Sequence, residues 1–218
     1  MEGKIPRALV YGSFFIRAIF VFTIIFSALN RDYLTIFVTS LALVFSFLPA
    51  MFERNYKILL PIEFEIVILI FVFASIFLGE VHSYYTRFWW WDVVLHASSG
   101  IIIGMIGFLF VYILNYEKKV KMPAHFAAIF ACSFALSLGA LWEIFEFTMD
   151  NLFGLSMQKN GLVDTMWDLI VDAIGALIIS IGGYFYIKKV KVPLFNNMVE
   201  KFVRKNPEIF KNKRKGLI

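Results

Sequence analysis

The hydrophobic positions of this chain fall into long apolar runs that are separated by short polar breaks. A transmembrane helix needs about 20 mostly apolar residues to cross the hydrocarbon core of a bilayer. Six runs reach this length, and they predict spans at residues 9–28, 34–52, 58–79, 92–114, 124–149 and 165–187. The pattern therefore predicts an all-α polytopic membrane protein that is built as a six-helix transmembrane bundle.

The composition excludes a soluble globular domain. Of the 218 residues, 60% are hydrophobic and only 17% are charged, whereas soluble domains carry about 45–50% apolar and about 25% charged residues. The single cysteine, Cys132, excludes an intramolecular disulfide. Lys4 and Arg7 precede an apolar run that is longer than the core of a signal peptide, so we expect the first span to remain as a signal anchor.

The distribution of basic residues predicts the orientation. Six spans place both termini on one side, and cytoplasmic loops are enriched in Lys and Arg. With the termini inside, only Arg31, Arg87 and Lys159 of the 21 basic residues lie in outer loops. We therefore expect a multi-pass protein of the cell membrane with both termini cytoplasmic. The net charge of +5 belongs mainly to the inner face and requires no nucleic acid partner.

Residues 188–218 have a different character, because basic positions interleave with apolar ones. This pattern predicts a cytoplasmic amphipathic tail that lies on anionic lipid, following a transmembrane domain at residues 1–187. A solvated basic tail that only fixes the topology is the alternative.

Ionisable residues cluster in the half of the transmembrane domain at residues 92–187. Ionisable groups inside a membrane are costly, so they are candidates for function. In each of the last three spans they recur at intervals that place them on one helix face. They are Asp92 and His96 at the start of span four, Glu143, Glu146 and Asp150 at the end of span five and directly after it, and Asp164, Asp168 and Asp172 directly before span six and within it.

Converging carboxylates cannot all stay ionised at low dielectric without a counter-charge, and these three spans supply no Lys or Arg. We therefore expect a divalent metal ion, either Mg, Mn, Zn or Fe, because carboxylates and imidazole suit these ions. His96, Glu146 and Asp168 are predicted to hold the ion, with Glu143 or Asp172 as a further ligand or general base. Asp92 is a further candidate ligand, although near the interface it also suits helix capping.

Two other uses of the acids remain open on the sequence alone. The acids can form a proton or cation pathway, or they can be protonated and hydrogen-bonded across helices as a structural network.

A second charged set lies in the first three spans. Arg17 is expected at a depth similar to that of Glu63 and Glu65, which lie within span three near its inner end. An unpaired Arg inside the membrane is costly, so the matching depths predict a structural ion pair between these helices.

The motif-bearing residues also carry a resemblance. The run Asp92-x-x-x-His96, Glu143-x-x-Glu146 and Asp164-x-x-x-Asp168-x-x-x-Asp172-x-x-Gly175 resembles the YjdF-like family of uncharacterised prokaryotic membrane proteins. More distantly it is similar to VanZ-like proteins, in which Gln and Asn often stand where this chain has Glu146 and Asp172. The resemblance implies an integral membrane protein with a polar pocket at one face, and it implies no reaction.

Together these patterns predict an outward-opening acidic pocket at the depth of lipid head groups. Metal-dependent hydrolysis or transfer on a lipid or lipid-linked head group is the expected function. A cation- or proton-coupled transporter is the alternative, and an accessory or structural membrane protein is the third class.

Overall fold

The computed structural model describes residues 7–154, 157–158 and 161–210. The predicted roles of Lys4, Lys159 and the basic residues beyond 210 lie outside this part. Every regular element in the described part is helical. The helices are α1 (Arg7–Leu29), α2 (Tyr33–Phe45), α3 (Leu48–Tyr56), α4 (Ile62–Val72), α5 (Tyr84–Arg87), α6 (Trp90–Tyr116), α7 (Ala124–Phe153), α8 (Leu162–Ile187) and α9 (Pro193–Lys205), and α4 continues as a π-helix over Phe73–Val81.

The predicted class, an all-helical membrane protein, is confirmed. Five helical stretches in the described part are long and apolar enough to cross a membrane. The expected span at 34–52 is broken instead into α2 and α3, which meet at an angle of 42°. Pro49 lies in the first turn of α3, where its ring cannot continue the preceding helix. The span count is six only if this bent pair crosses as one unit.

The chain divides into two compact units, Met1–Trp91 and Asp92–Ile218. In the first unit, Phe20, Ala42, Val72 and Phe77 form a buried core. The Phe20 ring lies 5.7 Å from that of Phe77 at a steep angle, which is a favourable arrangement for aromatic pairs. The core therefore joins α1, α2, α4 and the π-helical segment.

Arg17 has direct partners other than the predicted ones. Its Nη2 donates to the Ser46 carbonyl oxygen at 2.8 Å, and its Nε donates to Ser46 Oγ at 3.2 Å. The guanidinium also lies 4.5 Å from the ring centroid of Phe47. Ser46 is the C-cap residue of α2, and carbonyl groups at a helix end have no partner within their own helix, so Arg17 can bind the Ser46 carbonyl. The charge of Glu65 also acts on the Arg17 guanidinium.

In the second unit, α6 and α8 approach closely at two glycines. A Cβ on Gly100 would meet the carbonyl oxygen of Asp172, and one on Gly175 would meet the carbonyl oxygen of Ala97. Glycine allows such backbone contact between membrane helices. Gly139 on α7 similarly leaves room for the carboxylate of Asp172. Small residues thus set the rotation of all three helices around Asp172.

The tail after α8 forms the predicted amphipathic helix, α9, but its apolar face does not lie on lipid. Phe195, Val199 and Phe202 are buried, and the Phe195 ring lies 5.0 Å from that of Phe108 on α6. Gly182 on α8 makes space for the same ring. The expectation of a lipid-bound apolar face is therefore corrected, because protein covers this face.

Candidate metal centre

Three helices of the second unit bring four ionisable side chains into one buried cluster. The helices α6, α7 and α8 supply His96, Glu143 and the pair Asp168 and Asp172. These residues are only 8%, 4%, 5% and 1% exposed, respectively. His96 and Asp168 each lie six residues into their helices, so they sit about 9 Å from the helix starts.

His96 Nε2 faces three carboxylates. It lies 3.7 Å from Asp92 Oδ1, 3.9 Å from Asp168 Oδ1 and 4.0 Å from Glu143 Oε1. One donor atom from each of Asp92, His96 and Asp168 lies within 4.8 Å of the other two. Ligands about 2.1 Å from a tetrahedral ion are about 3.4 Å apart, so the two contacts of His96 Nε2 at 3.7 and 3.9 Å lie within about half an ångström of that spacing.

The other ring nitrogen of His96 is oriented by a carboxylate. His96 Nδ1 lies 3.3 Å from Asp172 Oδ2, and a proton on Nδ1 donates to this oxygen. The Ser99 hydroxyl lies 2.8 Å from Asp172 Oδ1 and 2.8 Å from the His96 carbonyl oxygen. With Nδ1 protonated, Nε2 keeps its lone pair toward the three carboxylates. Metal-ligating histidines in proteins are held in this way.

Glu143 is buried without the hydrogen bonds that a carboxylate normally requires. Neither of its oxygens has a hydrogen-bond partner within the described residues, although the Thr165 hydroxyl is near enough to interact with it. Burying such a group without a partner costs about 1–3 kcal/mol or more when it is charged. Glu143 Oε1 lies 4.0 Å from His96 Nε2, so this buried carboxylate borders the cluster of Asp92, His96 and Asp168.

The remaining acids lie outside the contacts around His96 Nε2. Glu146 Oε1 accepts a hydrogen bond from Trp142 Nε1 at 2.8 Å, one helical turn away on α7. Asp150 accepts hydrogen bonds from the backbone N–H groups of Met157 and Gln158 at 2.7 and 2.9 Å. Asp150 thus binds the backbone of Met157 and Gln158, which follow α7.

The predicted site residues are therefore arranged differently from the expected set. Asp92 replaces Glu146 beside His96 and Asp168, and Asp172 contacts the opposite ring nitrogen. Helical spacing placed these acids on shared faces, but it did not fix how far each face is rotated. The sequence interpretation missed Ser99, although it lies three residues after His96 and so shares its face.

The apolar helices and their large exposed hydrophobic side chains define a polytopic α-helical membrane protein. The chain belongs to a family of predicted membrane proteins, DUF2238, whose model matches residues 12–189. The matched region includes every residue of the candidate centre. The expected membership in a family of uncharacterised membrane proteins is confirmed at this level, and the resemblances to the YjdF-like family and to VanZ-like proteins stay predictions.

An uncharacterised protein of Thermotoga maritima is similar to this chain, with 29% identity over 129 residues. The similarity covers 59% of this chain and 66% of the relative, so this chain spans about two thirds of its length. No solved structure matches the chain.

Proposed function

We propose that the second unit binds a divalent cation through Asp92, His96 and Asp168, and that it uses the ion for hydrolysis or transfer on a lipid or lipid-linked head group. One observation carries this proposal. Donor atoms of these three residues converge beside a buried Glu143 that has no hydrogen-bond partner in the described structure.

The charges of the cluster support a cation. Asp92, Glu143, Asp168 and Asp172 surround one imidazole, and α6, α7 and α8 contain no Lys or Arg. Even a protonated His96 would leave most of the negative charge unbalanced. A divalent ion with mixed oxygen and nitrogen ligands would offset two of these four charges.

The number of ligands supports a catalytic ion over a structural one. Three protein ligands with an open fourth position are typical of catalytic metal sites, whereas structural zinc sites are closed by four ligands. Glu143 then lies where it can take a proton from a water bound at the open position. A bound cation would also neutralise a phosphate group, which the acids alone would repel.

In the hydrolytic form of this proposal, the water oxygen attacks the phosphorus of a head-group phosphodiester. A new P–O bond forms, the P–O bond to the leaving alcohol breaks, and Glu143 accepts the proton of the water. The leaving alkoxide takes up this proton from Glu143 as it departs, which returns Glu143 to its starting state. The site lies about 9 Å from the starts of α6 and α8, a depth that lipid head groups reach from the bilayer.

Metal analysis of the purified chain tests the proposal. We expect about one divalent ion per chain, and Asp168→Asn should remove it. Glu143→Gln should keep the ion but abolish release of phosphate-bearing head groups from lipid micelles. Glu146→Gln is the matched control, since Glu146 bonds to Trp142, and it should keep both properties.

Two results would overturn parts of this proposal. A wild-type protein that carries no ion, even after incubation with Mg, Mn, Zn and Fe, would exclude the metal centre. A bound ion without turnover of any phospholipid head group, combined with ion flux in vesicles, would replace the enzyme by a transporter.

A further inference from the structure

The chain repeats a short basic motif where two membrane helices end. Residues 118–123 follow α6 and residues 188–193 follow α8, and both read Lys-Lys-Val-Lys-x-Pro. In each loop one Lys, Lys118 or Lys189, adopts a left-handed backbone conformation with φ of 59° or 61°. Both loops therefore turn sharply at the helix end.

An Asn side chain fixes each loop at the same motif position. The backbone N–H of Met122 donates to Asn115 Oδ1 at 2.7 Å, and that of Val192 donates to Asn196 Oδ1 at 3.0 Å. These hydrogen bonds fix the backbone of each loop, and therefore the positions from which its lysine side chains extend.

The first loop opens into a groove along α7. The groove has a volume of about 510 Å³, and apart from Lys121 and Ser133 its lining is apolar: Val120, Met122, Pro123, Phe126, Ile129 and Phe130. Since α7 begins at Ala124, the groove follows the helix for about 14 Å as far as Ser133. Phe126 and Ile129 are 55% and 57% exposed, so this face of α7 is open to its surroundings.

The polarity of the groove matches that of one lipid molecule. Lys121 lies at the loop end, outside the membrane helix, and the apolar lining continues along the helix into the bilayer. Residues 117–121 and 188–205 together carry nine Lys or Arg and two Glu, and basic segments beside membrane helices attract anionic lipids. The apolar face of α9 is already covered by α6 and α8, so α9 does not provide the apolar surface that an acyl chain would contact.

We propose that this groove binds one anionic phospholipid, with its phosphate on Lys121 and an acyl chain along Phe126, Ile129 and Phe130. The second copy of the motif borders a different cavity, which contains Lys189 and Lys191 and is lined largely by polar and aromatic groups. Lys191 holds the same motif position as Lys121 and provides a matched control.

Native mass spectrometry of the full chain in detergent micelles tests this site, with phosphatidylglycerol and phosphatidylcholine as probes. The wild type should retain phosphatidylglycerol in preference to phosphatidylcholine. Lys121→Gln should weaken this retention about fivefold, as expected for one Lys beside an anionic head group. Ser133→Phe, which fills the groove from an exposed position, should weaken retention of both lipids, whereas Lys191→Gln should stay within about twofold of the wild type.

Three outcomes would overturn the proposal. Equal retention of the two lipids by the wild type would exclude recognition of the anionic head group. Equal losses in Lys121→Gln and Lys191→Gln would indicate diffuse surface charge, and this comparison decides the matter even if Ser133→Phe does not fold. Displacement of the lipid by glycerol phosphate at equal concentration would show that phosphate alone binds and that the groove holds no acyl chain.

Discussion

The orientation of the His96 imidazole depends on Asp172 and Ser99. Asp172 contacts Nδ1 at 3.3 Å, and Ser99 lies 2.8 Å from the other oxygen of the same carboxylate. An aspartate in this role selects the ring proton position and raises the basicity of the ligating nitrogen. We therefore expect Asp172 to position His96, in place of the ligand or general-base role that was predicted from the sequence.

Asp172→Asn should weaken binding of a divalent ion by about 10- to 100-fold. The amide can donate an N–H to Nδ1, which favours the ring proton on Nε2, the nitrogen that would bind the ion. The stoichiometry should stay at one ion per chain, because the three ligands remain. Ser99→Ala should act in the same direction with a smaller effect. Equilibrium titration with Co²⁺, followed by its visible absorption, measures both. Ser98→Ala is the control, since its hydroxyl bonds to the Val94 carbonyl oxygen at 2.6 Å. Unchanged affinity in Asp172→Asn would exclude the positioning role.

The sequence predicted which residues form the centre better than it predicted their contacts. The four-residue spacing of Asp92 and His96, and of Asp168 and Asp172, required each pair to share a face. Asp92 and Glu146 were both candidate ligands, and which of them lies beside His96 depends on how α7 is rotated against α6, which the sequence alone does not show. Gly139, where α7 meets the carboxylate of Asp172, contributes to that packing.

At the scale of the elements, the close packing of α6 against α8 depends on glycines, which have no side chain, where the two helices meet. At Gly175 an added Cβ would meet backbone atoms of Ala97 and Ile101, and backbone cannot move aside as a flexible side chain can. Two membrane helices gain little from burying apolar surface, since lipid is equally apolar, so close packing supplies much of their association.

Gly175→Ala should therefore lower the free energy of unfolding by about 1–3 kcal/mol, the usual cost of overpacking. Gly12→Ala is the control, because a Cβ there meets nothing within 4 Å. Reversible unfolding in mixed micelles with increasing denaturing detergent measures both variants. If the two variants unfold alike, α6 and α8 do not pack as tightly as the structure indicates.

For the run at 34–52 and for α9, the sequence pattern predicted a helix but not its final arrangement. The run at 34–52 is apolar enough for a span, but Pro49 and the break at Ser46 and Phe47 divide it. For α9, the pattern identified an apolar face but not its partner. Lipid and the aromatic side chains of α6 suit such a face equally well, so only the three-dimensional structure distinguishes them.

For the molecule as a whole, the bent pair α2 and α3 decides the topology. If it crosses the membrane as one span, the count is six and both termini lie on one side; if it does not, the count is five. The concentration of Lys and Arg in the loop after α6 and in the segment after α8 predicts that the chain after α8 is cytoplasmic.

A reporter fused after Ile218 should therefore be cytoplasmic, and one inserted at Asn160 should be external. A reporter placed before Met1 should also be cytoplasmic if the bent pair crosses. Enzymatic reporters that are active on only one side of the membrane measure all three positions. Terminal reporters on opposite sides would establish five spans and disprove the prediction that both termini are cytoplasmic.

The contacts of Asp172 restrict how the helices of the second unit can move. Its carboxylate contacts His96 and fits against Gly139, and its carbonyl oxygen faces Gly100. Sliding α8 by one turn would displace it by about 5.4 Å, well beyond the 3.3 Å that separates Asp172 from the imidazole. Asp172 on α8 thus contacts both α6 and α7, and such a slide would break these contacts. A transport cycle that moved α8 against α6 and α7 would have to break and remake them each time, whereas chemistry at a fixed site would leave them in place.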